Sequence, residues 1–216
     1  MRPKAPILLL ATLALALLGC GGDDETTSTA ASDTGCTEVE DPAPKEVKLE
    51  KPDLEPPPAG TTATFETNCG SFTVELDTRN APRTSASFAY LVEEGVYDDT
   101  AFHRVVPGFV IQGGDPSGDG TGGPGYFVDE PPPPDTAYTK GVVAMAKSAA
   151  EPPGRSGSQF YVVTGADAGL PTDYAILGNV VDGEDAVSAI EDLGVAGADG
   201  PPSEPVVISK ATLDEG

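Results

Sequence analysis

Arg104 and Gln112 are the polar side chains whose type and spacing point most clearly to chemistry. They lie within residues 102–115, a run made mainly of apolar residues and glycines. A guanidinium is planar, permanently charged and donates hydrogen bonds in a fixed fork, whereas a primary amide both donates and accepts. Around a hydrophobic pocket built from this run, the pair would supply one fixed cation and one amide at the lip.

The sequence lacks the residues that most other catalytic chemistries need. His103 is the only histidine, and no close pair of cysteines accompanies it, so neither Cys/His catalysis nor a metal site is expected. Residues 118–123 match the spacing of a dinucleotide-binding fingerprint, but Pro-Gly-Tyr follows instead of a helix. We interpret the segment as a tight glycine loop and predict no cofactor and no metal.

Two segments closely resemble the core signatures of the cyclophilin family of peptidyl-prolyl isomerases. The first is residues 102–115, and the second is residues 157–164, which read Gly-Ser-Gln-Phe-Tyr-Val-Val-Thr. Both occur in the order and spacing of that family. The resemblance covers nearly all of residues 61–213 and implies a mainly β fold, a closed eight-stranded antiparallel barrel with a helix at each end. It also implies peptidyl-prolyl cis-trans isomerase activity.

The resemblance assigns the catalytic roles to Arg104 and Gln112. Rotation about the bond that precedes a proline crosses a barrier of about 18–20 kcal/mol, because amide resonance is lost in the twisted state. As the bond twists, the prolyl nitrogen gains lone-pair character and can accept a hydrogen bond. Arg104 would donate that bond, and Gln112 would hold the substrate backbone beside it. A donor placed in advance stabilises the twisted amide without reorganisation.

Eight further positions are implied to bind or support the substrate: Phe109, Val110, Ala146, Lys147, Gln159, Tyr161, Leu170 and Tyr174. Ala146 and Lys147 would face the peptide backbone on the N-terminal side of proline, and Gln159 would support the site. The others would line or wall the proline pocket. Plain core packing is the alternative for the apolar members, and a simple surface cation is the alternative for Lys147.

Alternating apolar and polar residues predict the strands. Residues 62–67 and 71–76 read as a β-hairpin, and further strands are expected at residues 109–112, 141–146, 159–164, 175–181 and 205–213. One helix is predicted over residues 82–95, and a second, capped by Asp182, over residues 183–193. Short strands with two helices are typical of a β-barrel or a sandwich, and the cyclophilin resemblance favours the barrel.

The N-terminus is interpreted as a targeting segment. Basic residues precede residues 5–18, which are mostly alanine and leucine and fall short of the roughly 20 residues that span a bilayer. Leu17-Leu18-Gly19-Cys20 resembles the bacterial lipobox, in which the cysteine becomes the lipidated first residue. We predict a signal peptide at residues 1–19 and a lipid on Cys20, which places the protein outside the cytoplasm at the cell membrane. An uncleaved anchor helix and ordinary secretion are the alternatives.

Residues 20–60 are predicted to be a disordered tether that precedes a domain at residues 61–216. The segment is rich in glycine, proline and acidic residues, and it has few large apolar side chains to offset the entropy lost on ordering. Cys36 in the tether and Cys69 in the domain remain once Cys20 is lipidated. Thiols outside the cytoplasm tend to pair, so a disulfide is predicted, with two unrelated thiols as the alternative.

Charge and the two signatures limit the partners. The formal net charge of −23 repels nucleic acid phosphates, so no nucleic acid partner is expected. Solubility explains this charge, and a preference for cationic clients is the alternative. We predict a monomer that is held at the membrane by lipid and binds proline-containing segments of exported proteins. The pair Arg104 and Gln112 favours an enzyme over a non-catalytic proline-peptide-binding chaperone or scaffold.

Overall fold

A computed structural model describes residues 35–216, which form mainly antiparallel β-strands with two helices. Helices α1 and α2 are Pro82–Glu93 and Glu184–Asp192. The strands β1 to β11 are, in chain order, Thr62–Thr67, Gly70–Leu76, Thr100–Ala101, Arg104–Val106, Val110–Gly113, Val128–Asp129, Val142–Met145, Arg155–Ser156, Phe160–Val163, Ile176–Asp182 and Val207–Asp214. Within these residues no helix is long and apolar enough to cross a membrane. Cys20 and the predicted signal peptide lie outside the described residues.

Nine of the strands form one curled antiparallel sheet in the order β3-β11-β1-β2-β10-β7-β9-β5-β4, and β6 pairs with β8. The edge strands β3 and β4 are separated in sequence by only Phe102 and His103. The sheet must therefore curl until its two edges lie close together. The predicted closed eight-stranded barrel is not confirmed, because the sheet has nine strands and no ladder joins β3 to β4 among residues 35–216.

An aromatic cluster fills the core between the concave face of the sheet and the helices. Phe65 stacks on Phe72 with ring centroids 4.9 Å apart, and Phe88 of α1 stacks on Tyr97 at 4.8 Å. Phe160 of β9 packs against Phe65, Phe88 and Tyr97. Each such ring contributes roughly 1.5–3 kcal/mol through removal of apolar surface from water. This core holds β9 and the neighbouring β5 in place, and both strands carry predicted site residues.

The sequence patterns located the longer elements well. The predicted hairpin is confirmed as β1 and β2, and the first helix begins at Pro82 as expected. The cap of the second helix was predicted wrongly: Asp182 is the last residue of β10, and Gly183 is the N-cap, at φ 77°. Asp182 stays extended because it pairs with Thr73 of β2 after a register shift. β3, β4, β6 and β8 were not predicted, because strands of two or three residues are too short to show alternation.

Residues 36–54, which we call the strap, run over the surface of the domain and contact it repeatedly. Val47, Leu49 and Leu54 pack against the core. The Lys45 N–H donates to the carbonyl of Pro116 at 2.7 Å, and the Leu49 N–H donates to that of Pro124 at 2.8 Å. Over residues 36–54 this arrangement differs from the predicted disorder, whereas residues 20–34 lie outside the described part of the chain. Three apolar anchors and backbone hydrogen bonds to loops offset the entropy lost on ordering, which composition alone suggested would not be offset.

A disulfide joins the start of the strap to the domain. Cys36 and Cys69 are bonded in the structure, and both are buried. Beside them the Thr37 N–H donates to the Asn68 carbonyl at 2.8 Å, and the Asn68 side-chain amide donates back to the Thr37 carbonyl at 2.8 Å. The strap is therefore covalently attached next to the turn between β1 and β2.

Candidate active site

One row of side chains crosses four neighbouring strands and carries the predicted catalytic pair. Arg104 of β4 pairs with Gln112 of β5, which pairs with Tyr161 of β9, which in turn pairs with Ala144 of β7. Residues directly opposite each other in an antiparallel ladder point to the same face of the sheet. Strand register therefore brings a guanidinium, an amide and an aromatic ring together on one surface.

Hydrogen-bond acceptors hold the Arg104 guanidinium on two sides. Its Nη1 donates to Gln112 Oε1 at 3.1 Å. Its Nε and Nη2 donate to the two carboxylate oxygens of Asp199, at 2.5 and 3.0 Å. The guanidinium carbon lies 5.6 Å from the centroid of the Phe109 ring, within the range of a cation–π contact. The cation is thus oriented while 28% of the side chain remains exposed.

The hydrogen bonds continue from Gln112 through Gln159 to the glycine loop. Gln112 Nε2 donates to Gln159 Oε1 at 3.1 Å, and Gln159 Nε2 donates to the carbonyls of Gly120 and Gly122, each at 3.0 Å. With its Oε1 toward Arg104 and its Nε2 toward Gln159, the amide of Gln112 has one orientation that satisfies both partners.

A buried carboxylate shapes the glycine loop that Gln159 contacts. Asp115, 1% exposed, accepts hydrogen bonds from the Ser117 N–H and hydroxyl at 2.9 Å and from the Gly120 N–H at 2.5 Å. A Cβ on Gly122 would lie 2.1 Å from an oxygen of Asp115, so only glycine fits there. The fingerprint-like glycines therefore build a loop that points its carbonyls at Gln159.

Six of the predicted substrate-binding residues meet in one apolar cluster beside Arg104. The cluster has a buried part and a half-buried rim, and its predicted members are Phe109, Val110, Ala146, Tyr161, Leu170 and Tyr174. The rings of Tyr161 and Tyr174 meet edge to face with centroids 5.7 Å apart. Burial raises the pKa of Tyr161 far above its ordinary value, so its hydroxyl stays protonated. This apolar cluster is separate from the aromatic core on the concave face of the sheet.

Lys147 lies near the site, but its ammonium group is turned toward the following loop. Nζ donates to the carbonyls of Ser148 and Glu151 at 3.4 and 3.2 Å, and the side chain is only 4% exposed. Nζ also lies 3.9 Å from an oxygen of Asp173 and 5.3 Å from the Tyr174 ring centroid. The lysine thus supports the loop at residues 148–151, whereas its predicted role was contact with the peptide backbone.

Asp199 and His103, two titratable groups near Arg104, each keep one protonation state at neutral pH. The pKa of Asp199 is lowered by its hydrogen bonds to Arg104, so this carboxylate stays ionised. Burial lowers the pKa of His103, with Asp115 opposing the shift, so the imidazole is neutral. No group of metal-ligating side chains occurs among residues 35–216.

Sequence reasoning missed two residues that organise the site. Asp199 lies 95 positions from Arg104, in a Gly-Ala-Asp-Gly stretch with no periodic signal. Val47 of the strap lines a cleft that also contains Gln112 and Gln159. Here a signal existed, because Val47 and Leu49 alternate with charged residues over residues 45–50 as in an extended segment that is buried on one side.

Comparison with known proteins agrees with this geometry. A family model described as cyclophilin type peptidyl-prolyl cis-trans isomerase matches residues 62–213. Peptidyl-prolyl cis-trans isomerase A of Mycobacterium tuberculosis is 38% identical over 175 residues, which cover 73% of this chain and 94% of the relative. Peptidyl-prolyl cis-trans isomerase-like 1 of Aspergillus fumigatus is 35% identical over 160 residues, covering 72% and 98%.

A solved structure supports the same assignment. The cyclophilin-type isomerase of Cryptosporidium parvum, crystallised in the presence of the dipeptide Ala-Pro, superimposes with a TM-score of 0.65 at 29% identity. The match covers 72% of this chain and 99% of that structure. The row of Arg104, Gln112 and Tyr161, the matched family model and these relatives lead to one conclusion: the chain belongs to the cyclophilin-type peptidyl-prolyl cis-trans isomerase family.

Proposed function

We propose that this enzyme accelerates prolyl isomerisation in exported proteins while a lipid on Cys20 holds it at the outer face of the cell membrane. The observation that carries the catalytic part is the hydrogen-bonded series Asp199, Arg104, Gln112 and Gln159 beside an apolar cluster. Such an arrangement needs neither a nucleophile nor a metal.

In the proposed mechanism the apolar cluster binds the proline ring and Arg104 acts on the rotating bond. Phe109, Val110, Tyr161 and Leu170 supply the apolar contact, with Tyr174 as a further wall. Two guanidinium hydrogens, one on Nη1 and one on Nη2, remain free of Gln112 and Asp199 and would donate to the prolyl nitrogen as it becomes pyramidal. Because the guanidinium is held before binding, its donors favour the twisted amide without reorganisation.

The remaining polar residues would hold the peptide. Gln112 would contact the substrate backbone near the rotating bond, and Gln159 would fix the amide of Gln112. Ala146 directly follows β7, and its N–H donates to the carbonyl of Gln159 at 2.8 Å. From this position Ala146 would face the peptide on the N-terminal side of proline. Raising a rate of about 0.01 per second to about 1,000 per second requires roughly 7 kcal/mol from these contacts together.

The cellular part of the proposal comes from the sequence. An apolar segment over residues 5–18 followed by Leu-Leu-Gly-Cys supports export and lipidation, and two or more acyl chains anchor a protein stably. The charge of −23 supports solubility outside the cytoplasm, because net charge far from zero keeps proteins from associating.

The catalytic part is tested by measuring cis-trans exchange of a short Ala-Pro peptide by NMR with and without the purified full-length protein. We expect catalytic amounts of the protein to broaden or exchange the cis and trans signals that are static on this timescale without it. If the peptide binds but its exchange rate does not change, the protein is a proline-peptide-binding chaperone and the enzymatic proposal is wrong.

A further inference from the structure

A cleft of about 730 Å³ continues from the catalytic pair toward the strap. It shares Gln112 and Gln159 with the hydrogen-bonded series and is bounded on one side by Ala146 and Lys147. A peptide whose proline lies in the apolar cluster and whose preceding backbone passes Ala146 would bring its next side chain to this cleft. The cleft is thus placed to receive a substrate residue on the N-terminal side of proline.

One wall of the cleft comes from the strap, which lies outside the region matched by the family model. That match begins at residue 62, whereas Val47 lines the cleft. The residues two positions before and after Val47 donate their backbone N–H groups to the loop at residues 116–124, at 2.7 and 2.8 Å. Val47 is therefore fixed in position against the glycine loop.

The lining chemistry favours a large apolar occupant. Pro124, Tyr126 and Phe127 join Val47 around the cleft, and Phe127 is 52% exposed at its rim. The one ammonium group that lines the cleft, that of Lys147, is already bonded to loop carbonyls and lies 3.9 Å from Asp173. The carboxylate of Glu151 also lines the cleft. An apolar side chain would gain contact with Val47 and the aromatic walls, whereas an anionic one would face this carboxylate and lose hydration without a new partner.

We propose that Val47 is a specificity-determining residue, through which the strap makes the enzyme prefer a large apolar residue two positions before proline. The inference rests on the proposed function, since it assumes that peptides bind across Gln112 and Ala146. The strap would then be part of the substrate site, in addition to being an attachment segment.

The test compares the peptides Gly-Ala-Pro-Phe and Leu-Ala-Pro-Phe on the full-length protein and on Val47→Ala. Wild type should have a higher kcat/KM for the leucine peptide than for the glycine peptide. Val47→Ala should reduce that ratio about 5-fold, because contact with one or two methyl groups discriminates by roughly 10-fold in a well-formed pocket and less at an open cleft. The value for the glycine peptide should change little.

Leu54→Ala is the matched control, because Leu54 also packs from the strap onto the core but does not line the cleft. It should lower stability and leave the peptide ratio unchanged. The inference is overturned if Val47→Ala leaves the ratio of the two peptides unchanged, including by an equal loss of activity on both. It is also overturned if wild type prefers the glycine peptide. If wild type accelerates neither peptide, the proposed function fails instead, and the ratio of the two dissociation constants, measured by titration calorimetry, decides on Val47.

Discussion

Arg104 is held by Gln112 on one side and by Asp199 on the other before any substrate is bound. The bidentate contact to Asp199 is the geometry in which a planar guanidinium loses the least freedom per hydrogen bond formed. Asp199 itself is 66% exposed, so the ion pair contributes little to stability. Its effect should therefore appear in catalysis, through the orientation of Arg104.

We expect Asp199→Ala to lower kcat about 3- to 10-fold, with little change in peptide affinity or in melting temperature. Without the carboxylate, Gln112 alone orients the guanidinium, which then points correctly for a smaller fraction of the time. Exchange kinetics by NMR with separate measurement of Kd tests this. Asp199→Glu should restore part of the rate, and Glu204→Ala, on the same loop, should have no effect. An unchanged or raised kcat in Asp199→Ala would show that the carboxylate does not position Arg104.

His103 should make stability depend on pH below about 6.5, its ordinary pKa. Burial lowers its pKa in the folded protein, so as pH falls below 6.5 the unfolded chain takes up a proton that the folded chain does not. Stability supplied by the neutral imidazole is thus complete above that pH and is lost as pH falls toward the folded pKa. Because the chain has one histidine, His103→Gln should flatten the unfolding free energy between about pH 7 and 5.5 relative to wild type. Parallel pH profiles of the two proteins would contradict this assignment.

At the scale of elements, strand register determines which of the main site residues lie next to each other. Tyr161 is distant in sequence from Arg104 and Gln112, yet pairing of β4 with β5 and of β5 with β9 brings the three residues into one row. The resemblance of residues 102–115 and 157–164 to cyclophilin signatures predicted which of these residues meet. Strand alternation predicted the longer strands, whereas β3 and β4 are too short to be seen in that way.

The loop contacts could not be predicted from local patterns, whereas the strap left a short signal in the sequence. Asp199 and the carbonyls of Gly120 and Gly122 act through tertiary contacts that leave no periodic trace in the sequence. For residues 35–60, composition suggested disorder, since proline and acidic residues dominate. The alternation at residues 45–50 and the position of Cys36 indicated an ordered segment instead. A short extended segment that is buried on one side needs only a few apolar anchors when hydrogen bonds to a loop and a disulfide also hold it.

The disulfide should stabilise the attachment of the strap. Cys36 and Cys69 are separated by 33 residues, for which chain entropy predicts up to about 4 kcal/mol. Replacing both with serine should lower the unfolding free energy by about 2–4 kcal/mol in urea titrations monitored by circular dichroism. Wild type treated with a reductant should match the double variant. Equal stability of the oxidised protein and the double variant would contradict a structural role.

At the scale of the whole molecule, the proposal joins a catalytic domain to a membrane anchor through residues 20–60. Within this segment, the strap at residues 36–54 is fixed to the domain. The domain would therefore be held nearer to the anchor than a fully flexible tether of residues 20–60 would allow.

In the proposed arrangement anchoring depends on Cys20, and we expect Cys20→Ser to move the protein from the membrane fraction to the soluble extracytoplasmic fraction of a bacterium that expresses it. Mass spectrometry of the wild-type N-terminal peptide should show acyl groups on Cys20 and no residues 1–19. Cys36→Ser, which leaves the lipobox intact, is the control and should stay with the membrane. An unmodified Cys20 in membrane-bound protein would rule lipidation out.

The central claim, that a pre-oriented Arg104 stabilises the twisted prolyl bond, is tested most directly by comparing kcat/KM of wild type and Arg104→Ala on an Ala-Pro peptide. We predict a loss of about 100-fold, or roughly 3 kcal/mol, as expected when one preorganised donor is removed. Peptide affinity should change much less, because Phe109, Tyr161 and Leu170 still line the pocket. Arg104→Lys should not recover the rate, since an ammonium group lacks the planar fork. An Arg104→Ala enzyme as fast as wild type would contradict the account.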